Sequence, residues 1–195
     1  MPTSYEIDCP SFPELVRATD RLVLREQRES DAPDANAYER LEEVARYGSG
    51  PPRSLDESLT YIREGLAHAR TEPRRVYDLA ITERGDDTMI GRCGFGIRAH
   101  EPREAMLWYV LHPRCHGRGY AVEAARSMVD LAFGELGLHR VYADIDPRNA
   151  ASVRVAEKLG MRREGHFIEN AWLKGEWTDS LIFALLEREW PARRG

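Results

Sequence analysis

Residues 105–122 read Ala-Met-Leu-Trp-Tyr-Val-Leu-His-Pro-Arg-Cys-His-Gly-Arg-Gly-Tyr-Ala-Val, and they join a strand to a helix through a glycine turn. Residues 105–111 are an apolar and aromatic run of strand length. Pro113 ends the run because proline cannot donate to a sheet ladder. Gly117 and Gly119 follow, and an apolar pattern with helical spacing begins at Tyr120. The stretch therefore predicts a strand, a glycine turn and a helix, in that order.

A turn of this kind is suited to binding phosphate. The first N–H groups of a helix have no intrahelical partner, and the helix dipole adds positive charge there. Arg114 and Arg118 add charge and planar donors. A Walker A loop is absent because no Gly-Lys is followed by Ser or Thr, and a dinucleotide Gly-x-Gly-x-x-Gly fails at Val122. Taken alone, the two glycines are explained equally well by a phosphate-binding loop and by a plain turn or helix C-cap.

A second motif distinguishes between these interpretations of the glycine turn. Arg114-x-x-Gly117-x-Gly119 resembles the acyl-CoA pyrophosphate loop of the GNAT N-acetyltransferases. About thirty residues later, Asn149-x-x-Ser152 precedes a short helical run that ends at Gly160. This order resembles the RimJ/RimL-like branch of that family, and the match covers about residues 88–186.

The resemblance implies a fold and an activity. We expect a mixed α/β fold with a twisted, mainly antiparallel sheet, splayed central parallel strands and helices on both faces. The expected organisation is an irregular arm over residues 1–19 and a single acyltransferase domain over residues 20–190. The implied activity is direct transfer of an acetyl group from acetyl-CoA to a primary amine in a ternary complex, with no metal.

The resemblance also implies the residues that contact acyl-CoA. The backbone of Val110 and Leu111 is expected to pair with the pantetheine arm, and a free N–H near Val110 to hold the thioester oxygen. Asn149 is expected to hydrogen-bond the cofactor arm. The pyrophosphate is expected to be surrounded by Arg114, Cys115, His116, Gly117, Arg118, Gly119, Tyr120 and Ala121.

Catalytic candidates are fewer. Most of the wider family carries a tyrosine on the short helix as the acid, but that position is Ala156 here. The RimJ/RimL-like branch implies Ser152 as the donor to the leaving thiolate, and a helix N-cap is an equal and compatible interpretation. Asp144 is the candidate base that would take a proton from the amine. It is equally explained as a solvated or paired carboxylate, as are Asp146 and the weaker candidate Glu104.

The composition excludes several classes of function. The 195 residues suit one domain, and a net charge of −5 argues against a general nucleic-acid surface. Cys9, Cys93 and Cys115 are scattered, so neither a disulfide framework nor a metal site is indicated. Cys115 is more simply a packing residue than a nucleophile. No apolar stretch reaches membrane-span or signal-peptide length, so we expect a cytoplasmic protein without a membrane partner.

The other elements follow from periodicity and turn residues. Trp177 is expected in the core. The predicted strands cover residues 20–26, 75–83, 88–98, 140–146, 161–169 and 178–186. The predicted helices cover residues 35–47, 54–69 and 152–159, besides the one that begins at Tyr120 and ends near residues 134–137.

The acceptor is left open by the sequence. A protein N-terminus and a small amine, such as a polyamine or an antibiotic, are both compatible with it, and so is a homodimer. Acidic residues such as Glu42, Glu43 and Glu169 are interpreted as acceptor contacts or, more simply, as ordinary surface. The alternative from another class is a non-catalytic acyl-CoA-binding module, which the alanine at position 156 keeps open.

Overall fold

The computed structural model describes residues 15–101 and 103–190. Eight strands form one sheet in the order β1-β2-β3-β4-β5-β6-β8-β7. The strands are β1 (Val16–Ala18), β2 (Leu22–Glu26), β3 (Val76–Glu83), β4 (Gly91–Ile97), β5 (Glu104–Leu111), β6 (Arg140–Ile145), β7 (Arg162–Leu173) and β8 (Glu176–Leu186). The helices are α1 (Ala32–Glu39), α2 (Glu42–Ala45), α3 (Leu55–Ala69), α4 (Tyr120–Asp130) and α5 (Ala150–Leu159).

The centre of the sheet opens between two parallel strands. β5 and β6 pair in parallel only from Glu104↔Arg140 to Met106↔Tyr142, whereas every other neighbouring pair of described strands is antiparallel. Both strands continue past the last pair, to Leu111 and Ile145. We call the space between residues 107–111 and 143–145 the strand gap. The mixed sheet with splayed central strands confirms the expected fold class.

Helices cover the two faces of the sheet. The larger core lies between one face and helices α4 and α5, and it contains Leu79, Phe95, Leu107 and Met128. A smaller core on the other face contains Tyr38 and Ile62 from α1 and α3. α3 packs there against β3, which leaves β5, β6 and β8 open to solvent on the same face.

The glycines of β4 allow close packing. A Cβ at Gly94 would clash with the β3 backbone at Tyr77, and one at Gly96 would lie 3.3 Å from the indole of Trp108. The Trp108 ring therefore lies over β4, and its Nε1 donates to Asp78 Oδ1 at 2.9 Å. This hydrogen bond holds the Trp108 ring beside the open strands, on the side where α1 and α3 lie.

Four expectations require correction. The helix predicted over residues 35–47 is two helices, because Leu41 is extended with ψ 128° and separates α1 from α2. Residues 16–18 are a strand rather than an irregular arm, since they pair with β2; residues 1–14, including Cys9, lie outside the described residues. Trp177 is 56% exposed rather than in the core, because it lies near the turn of the β7–β8 hairpin and packs edge-on against Trp172, which is also exposed. α5 begins at Ala150, so Asn149 and not Ser152 is its cap.

Candidate active site

A loop that we call the glycine loop, residues 112–119, connects β5 to α4 beside the strand gap. Gly117 and Gly119 have φ +75° and +82°, a region that glycine adopts without strain. Within the described chain, nothing lies within 4 Å of a Cβ built on Gly117, and the Arg21 guanidinium alone approaches one built on Gly119, at 3.5 Å. The loop therefore leaves open space in front of the helix.

The N-terminus of α4 faces this space with unpaired donors. Glu123 is the first residue of the helix whose N–H finds a carbonyl, that of Gly119, at 3.1 Å. The N–H groups of Tyr120, Ala121 and Val122 precede it and have no acceptor within the helix. Three N–H groups at the positive end of an 11-residue helix form a site that fits a phosphate group.

The two arginines of the glycine loop differ in their partners. Arg114 is exposed, and its guanidinium makes no hydrogen bond or ion pair with the described residues. Arg118 forms an ion pair with Glu83 at 2.7 Å. Arg114 is therefore the cation that remains available to a phosphate.

A third arginine, which the sequence did not single out, fixes the loop from the turn between β1 and β2. Arg21 Nη1 donates to the Arg118 carbonyl at 2.9 Å, and its Nε donates to Glu123 at 2.7 Å. Thr19 donates to the same carboxylate at 2.6 Å. Burial opposes ionisation of Glu123, but the hydrogen bonds from Thr19 and Arg21 outweigh it and lower its pKa. Glu123 thus holds the helix start in place, as expected for a structural charge.

Cys115 and the two histidines of the loop make contacts within the protein. Cys115 is only 2% exposed and belongs to the core, so it offers the loop its backbone alone. His116 Nε2 lies 3.1 Å from the Leu111 carbonyl. Burial and the charge of Arg114 lower the pKa of His112, whose Nδ1 accepts the Arg114 N–H at 3.2 Å. A neutral His112 therefore stabilises the turn.

The backbone of β5 offers unpaired groups to the strand gap. Arg98 N–H donates to the Glu104 carbonyl and His112 N–H donates to the Ile90 carbonyl, which fixes the even-numbered residues of β5 as those that bond to β4. Val110 follows this pattern, so its own N–H and carbonyl face β4. The backbone groups of its neighbours Tyr109 and Leu111 face the gap instead. The expectation of a free N–H near Val110 is met by these neighbours and not by Val110 itself.

The N-terminus of α5 meets a phenol from β5. Asn149 caps the helix, since its side-chain oxygen accepts the Ser152 N–H at 3.1 Å, and the amide nitrogen of Asn149 remains to donate. The Tyr109 hydroxyl donates to the Ser152 carbonyl at 3.1 Å. Burial raises the pKa of Tyr109 to about 12, against the opposing effect of a hydrogen bond with the Ser152 side chain. Tyr109 is therefore a protonated donor at neutral pH, placed next to Ser152.

The carboxylates near the gap divide into paired and unpaired groups. Hydrogen bonds from Arg148, at 2.7 Å for the shortest, lower the pKa of Asp146. Glu104 forms ion pairs with Arg98 and Arg140. Asp144 is exposed and makes no hydrogen bond or ion pair with the described residues. Of the three candidate bases, Asp144 is the one that remains free to accept a proton.

A buried polar network fixes the helices beside the open strands. Arg92 Nη1 donates to the Tyr61 hydroxyl at 2.6 Å and its Nε donates to Glu39 at 3.2 Å, while Tyr61 donates to Asp78 at 2.9 Å. Asp78 also accepts from the Trp108 indole. The network thus links α1 and α3 to the wall of the gap.

Sequence reasoning missed Arg21, Tyr109 and the network around Arg92. Their partners lie 97, 43 and 53 residues away along the chain. A local pattern cannot show such pairings. The nearest signal was compositional, since Tyr109 belongs to the aromatic run that defines the central strand.

The fold and the site together define a class. A sheet that opens between its two central parallel strands, next to a helix N-terminus preceded by a glycine loop, is the architecture of an acyl-CoA-dependent N-acetyltransferase. Comparison with known proteins agrees. The family model described as an acetyltransferase (GNAT) domain matches residues 21–162, and the chain belongs to this family.

Three similar proteins illustrate the range of the family. The uncharacterized N-acetyltransferase YnaD of Bacillus subtilis is 39% identical over 88% of this chain and 97% of its own length. Spermidine N(1)-acetyltransferase of Escherichia coli is 25% identical over 71% of this chain and 80% of its own. The structure of Mycobacterium smegmatis RimJ in complex with CoA-disulfide superposes with a TM-score of 0.76 over 87% of this chain and 84% of its own, at 23% identity.

No helix of residues 15–101 or 103–190 has the length and apolar character needed to cross a membrane.

Proposed function

We propose that the protein transfers an acetyl group from acetyl-CoA to a primary amine by direct attack in a ternary complex. The observation that carries this proposal is the strand gap, which lies next to the glycine loop and is bordered by an unpaired carboxylate and two hydroxyl groups. A gap of this shape accepts an extended arm that pairs with β5, while the loop receives the pyrophosphate.

The chain offers each part of acyl-CoA a matching group. The backbone N–H and carbonyl of Tyr109 and the N–H of Leu111 are available to pair with the pantetheine arm, whereas the Leu111 carbonyl already contacts His116 Nε2. The N–H groups at the start of α4, together with the Arg114 guanidinium, suit the pyrophosphate. The side-chain amide nitrogen of Asn149 remains to donate to the arm. The donors therefore fit acyl-CoA, although Cys115 can contribute only through its backbone.

The reaction needs two proton movements. The amine nitrogen attacks the thioester carbon, so that a C–N bond forms and the C–S bond breaks. The attacking nitrogen loses a proton, which Asp144 accepts directly or through water. The departing thiolate takes a hydrogen bond or a proton from Ser152, and the hydroxyl of Tyr109 holds Ser152 in position. The Tyr109 hydroxyl contacts α5 at Ser152. This contact lies one helical turn before Ala156, and position 156 is where most of the family has a tyrosine.

A ligand panel tests the binding part of this proposal. We expect acetyl-CoA and CoA to raise the melting temperature of the protein, because a ligand that binds only the folded state stabilises it. ATP and NAD should not do so. Gly119→Glu should abolish the shift, since a carboxylate would stand in the phosphate space and the residue has φ +82°.

Gly137→Glu is the matched control for this variant. Gly137 also has a positive φ of +60° but lies after α4, away from the loop. This variant should lose stability and keep the CoA response. A wild-type protein that is folded yet unaffected by CoA would refute the proposal.

Measuring the release of free thiol distinguishes an enzyme from a non-catalytic acyl-CoA-binding module. We expect acetyl-CoA and a suitable amine to release free thiol, with one acetylated amine formed for each thiol. Binding of CoA without thiol release across a broad amine panel would favour the binding module, which the alanine at position 156 leaves open. A cytoplasmic location and a homodimer remain predictions from the sequence.

A further inference from the structure

The open face of β5, β6 and β8 bears a row of apolar and aromatic side chains around one carboxylate. Met106 pairs with Tyr142, and Asp144 pairs with Ile182, so these four side chains project to the same side of the sheet. Ile182 pairs in turn with Gly165 of β7. We call this surface the open face.

β7 adds an aromatic ring to the open face. A Cβ at Gly165 would lie 3.2 Å from the ring of Phe167, so that ring covers the glycine next to Ile182. Phe167 is 53% exposed and Met106 is 38% exposed. Large apolar groups exposed together beside a catalytic gap indicate a binding surface rather than a scattered surface feature.

The charges of the open face are balanced except at one point. Glu104 is neutralised by Arg98 and Arg140, and Glu164 by Arg140 and Arg162. Of the three carboxylates Glu104, Asp144 and Glu164, Asp144 is the one that has no ion pair with a described residue. The face therefore provides one site for one cation, and it lies next to the strand gap.

From this arrangement we infer that the acceptor is a primary amine with one positive charge next to a large apolar group. The ammonium group meets Asp144, and the apolar group packs on Met106, Tyr142, Ile182 and Phe167. The inference rests on the proposed function, because Asp144 faces the acceptor only if the acyl group lies in the strand gap. Both an apolar small amine and a peptide whose first residue is apolar have this chemistry.

Polyamines have a different pattern of charge. A spermidine-like chain carries several cations along a thin aliphatic chain, and each cation needs its own partner. Glu42 and Glu43 on α2 are exposed and offer polyamines the best alternative site on the helical side. Spermidine is therefore the competing acceptor in the test.

The test compares acceptors by kcat/KM from thiol release. The panel contains 2-phenylethylamine, ethylamine, spermidine and two tetrapeptides that begin with Phe or with Ser. We expect 2-phenylethylamine to exceed both ethylamine and spermidine by roughly tenfold or more, since burial of the ring adds binding energy that the others lack. A kcat/KM for the Phe peptide above that for 2-phenylethylamine identifies a peptide as the source of the amine, and the reverse order identifies a small amine.

A pair of variants locates the apolar contact. Phe167→Ser should reduce the preference for 2-phenylethylamine over ethylamine about fivefold or more. Trp177→Ser is the matched control, because Trp177 is 56% exposed but projects from the opposite side of β8 from Ile182. This control should keep the preference.

The outcomes separate the inference from the proposed function. Acetylation of spermidine at a higher kcat/KM than 2-phenylethylamine would overturn the inference while leaving the enzyme an amine acetyltransferase. An equal effect of Phe167→Ser and Trp177→Ser would also overturn it. Thiol release with none of the amines would instead reject the proposed function.

Discussion

At Ser152 two groups from distant parts of the chain meet. The Tyr109 hydroxyl comes from the central strand and donates to the Ser152 carbonyl at 3.1 Å, while Asn149 accepts the Ser152 N–H. Both bonds restrain the backbone that carries the proposed donor. Positioning of this kind affects turnover more than ground-state binding.

Tyr109→Phe removes the hydroxyl and keeps the ring. We expect kcat to fall roughly tenfold, equivalent to about 1.4 kcal/mol, with a smaller change in the KM for acetyl-CoA. In a Ser152→Ala background the same substitution should have little further effect, because Tyr109 acts through Ser152. Steady-state kinetics of the two single variants and the double variant measure this coupling.

Tyr38→Phe is the control for loss of a buried phenol. The Tyr38 hydroxyl is buried and has no hydrogen-bond partner among the described residues, so this variant should keep the wild-type kcat. If the effects of Tyr109→Phe and Ser152→Ala on kcat simply multiply in the double variant, Tyr109 does not act through Ser152.

At the scale of elements, the buried network around Arg92 attaches α1 and α3 to the sheet. Arg92 belongs to β4 and contacts Glu39 of α1 and Tyr61 of α3. Its loss would leave the Asp78 carboxylate, whose side chain is 3% exposed, buried without a cation, whereas Glu39 would keep its ion pair with Arg53. An uncompensated buried charge is among the most destabilising changes in a protein.

Arg92→Met should therefore lower the free energy of unfolding by about 3–5 kcal/mol. Arg84→Met, at an exposed turn between β3 and β4, should change it by less than about 0.5 kcal/mol. Urea denaturation followed by circular dichroism measures both. Equal stability of the two variants would show that the network does not hold the helices.

Sequence patterns predicted the elements that depend on local signals. α3 begins directly after Ser54, close to the predicted start at residue 54, and Ser54 and Glu57 form a capping box there. The turn at Lys174 and Gly175 joins β7 to β8. The break at Leu41 was missed because nothing local marks it. Trp177 was placed in the core wrongly, since apolar character alone does not show that a ring lies near an exposed hairpin turn and packs on another exposed ring, that of Trp172.

The sequence also predicted the local part of the site and not the contacts between distant residues. The glycine loop follows from Gly117 and Gly119, whose positive φ values few other residues tolerate. The phenol of Tyr109 and the clamp by Arg21 require the fold, because each joins residues that are far apart in sequence. The one-residue shift from Val110 to its neighbours depends on strand register, which alternation alone does not fix.

At the scale of the whole molecule, ion pairs make the folded state sensitive to acid. Hydrogen bonds from arginine lower the pKa of Asp146 and of Glu164, and those from Thr19 and Arg21 lower that of Glu123 against the effect of burial. In the unfolded chain such carboxyl groups titrate near pH 4. Their contribution to the free energy of unfolding is complete above that pH. It is lost as the pH falls through the lower pKa values that these groups have in the folded state.

The free energy of unfolding should accordingly change little between pH 7 and pH 5 and fall steeply below about pH 4. Urea titrations at pH 7, 5, 4 and 3 measure the profile. Glu123→Gln should be less stable at pH 7 and show a smaller fall in acid. A wild-type profile that already declines between pH 7 and pH 5 would be inconsistent with carboxylates as the linked groups.

The central claim is that acyl-CoA enters the strand gap and places its pyrophosphate on the glycine loop. Amide hydrogen exchange with and without acetyl-CoA tests it most directly. We predict that acetyl-CoA slows exchange in two segments, residues 107–111 of β5 and residues 117–122 at the start of α4, while β1 and the β7–β8 turn remain unchanged. Protection confined to other segments, with residues 107–111 and 117–122 unaffected at saturating acetyl-CoA, would contradict the account.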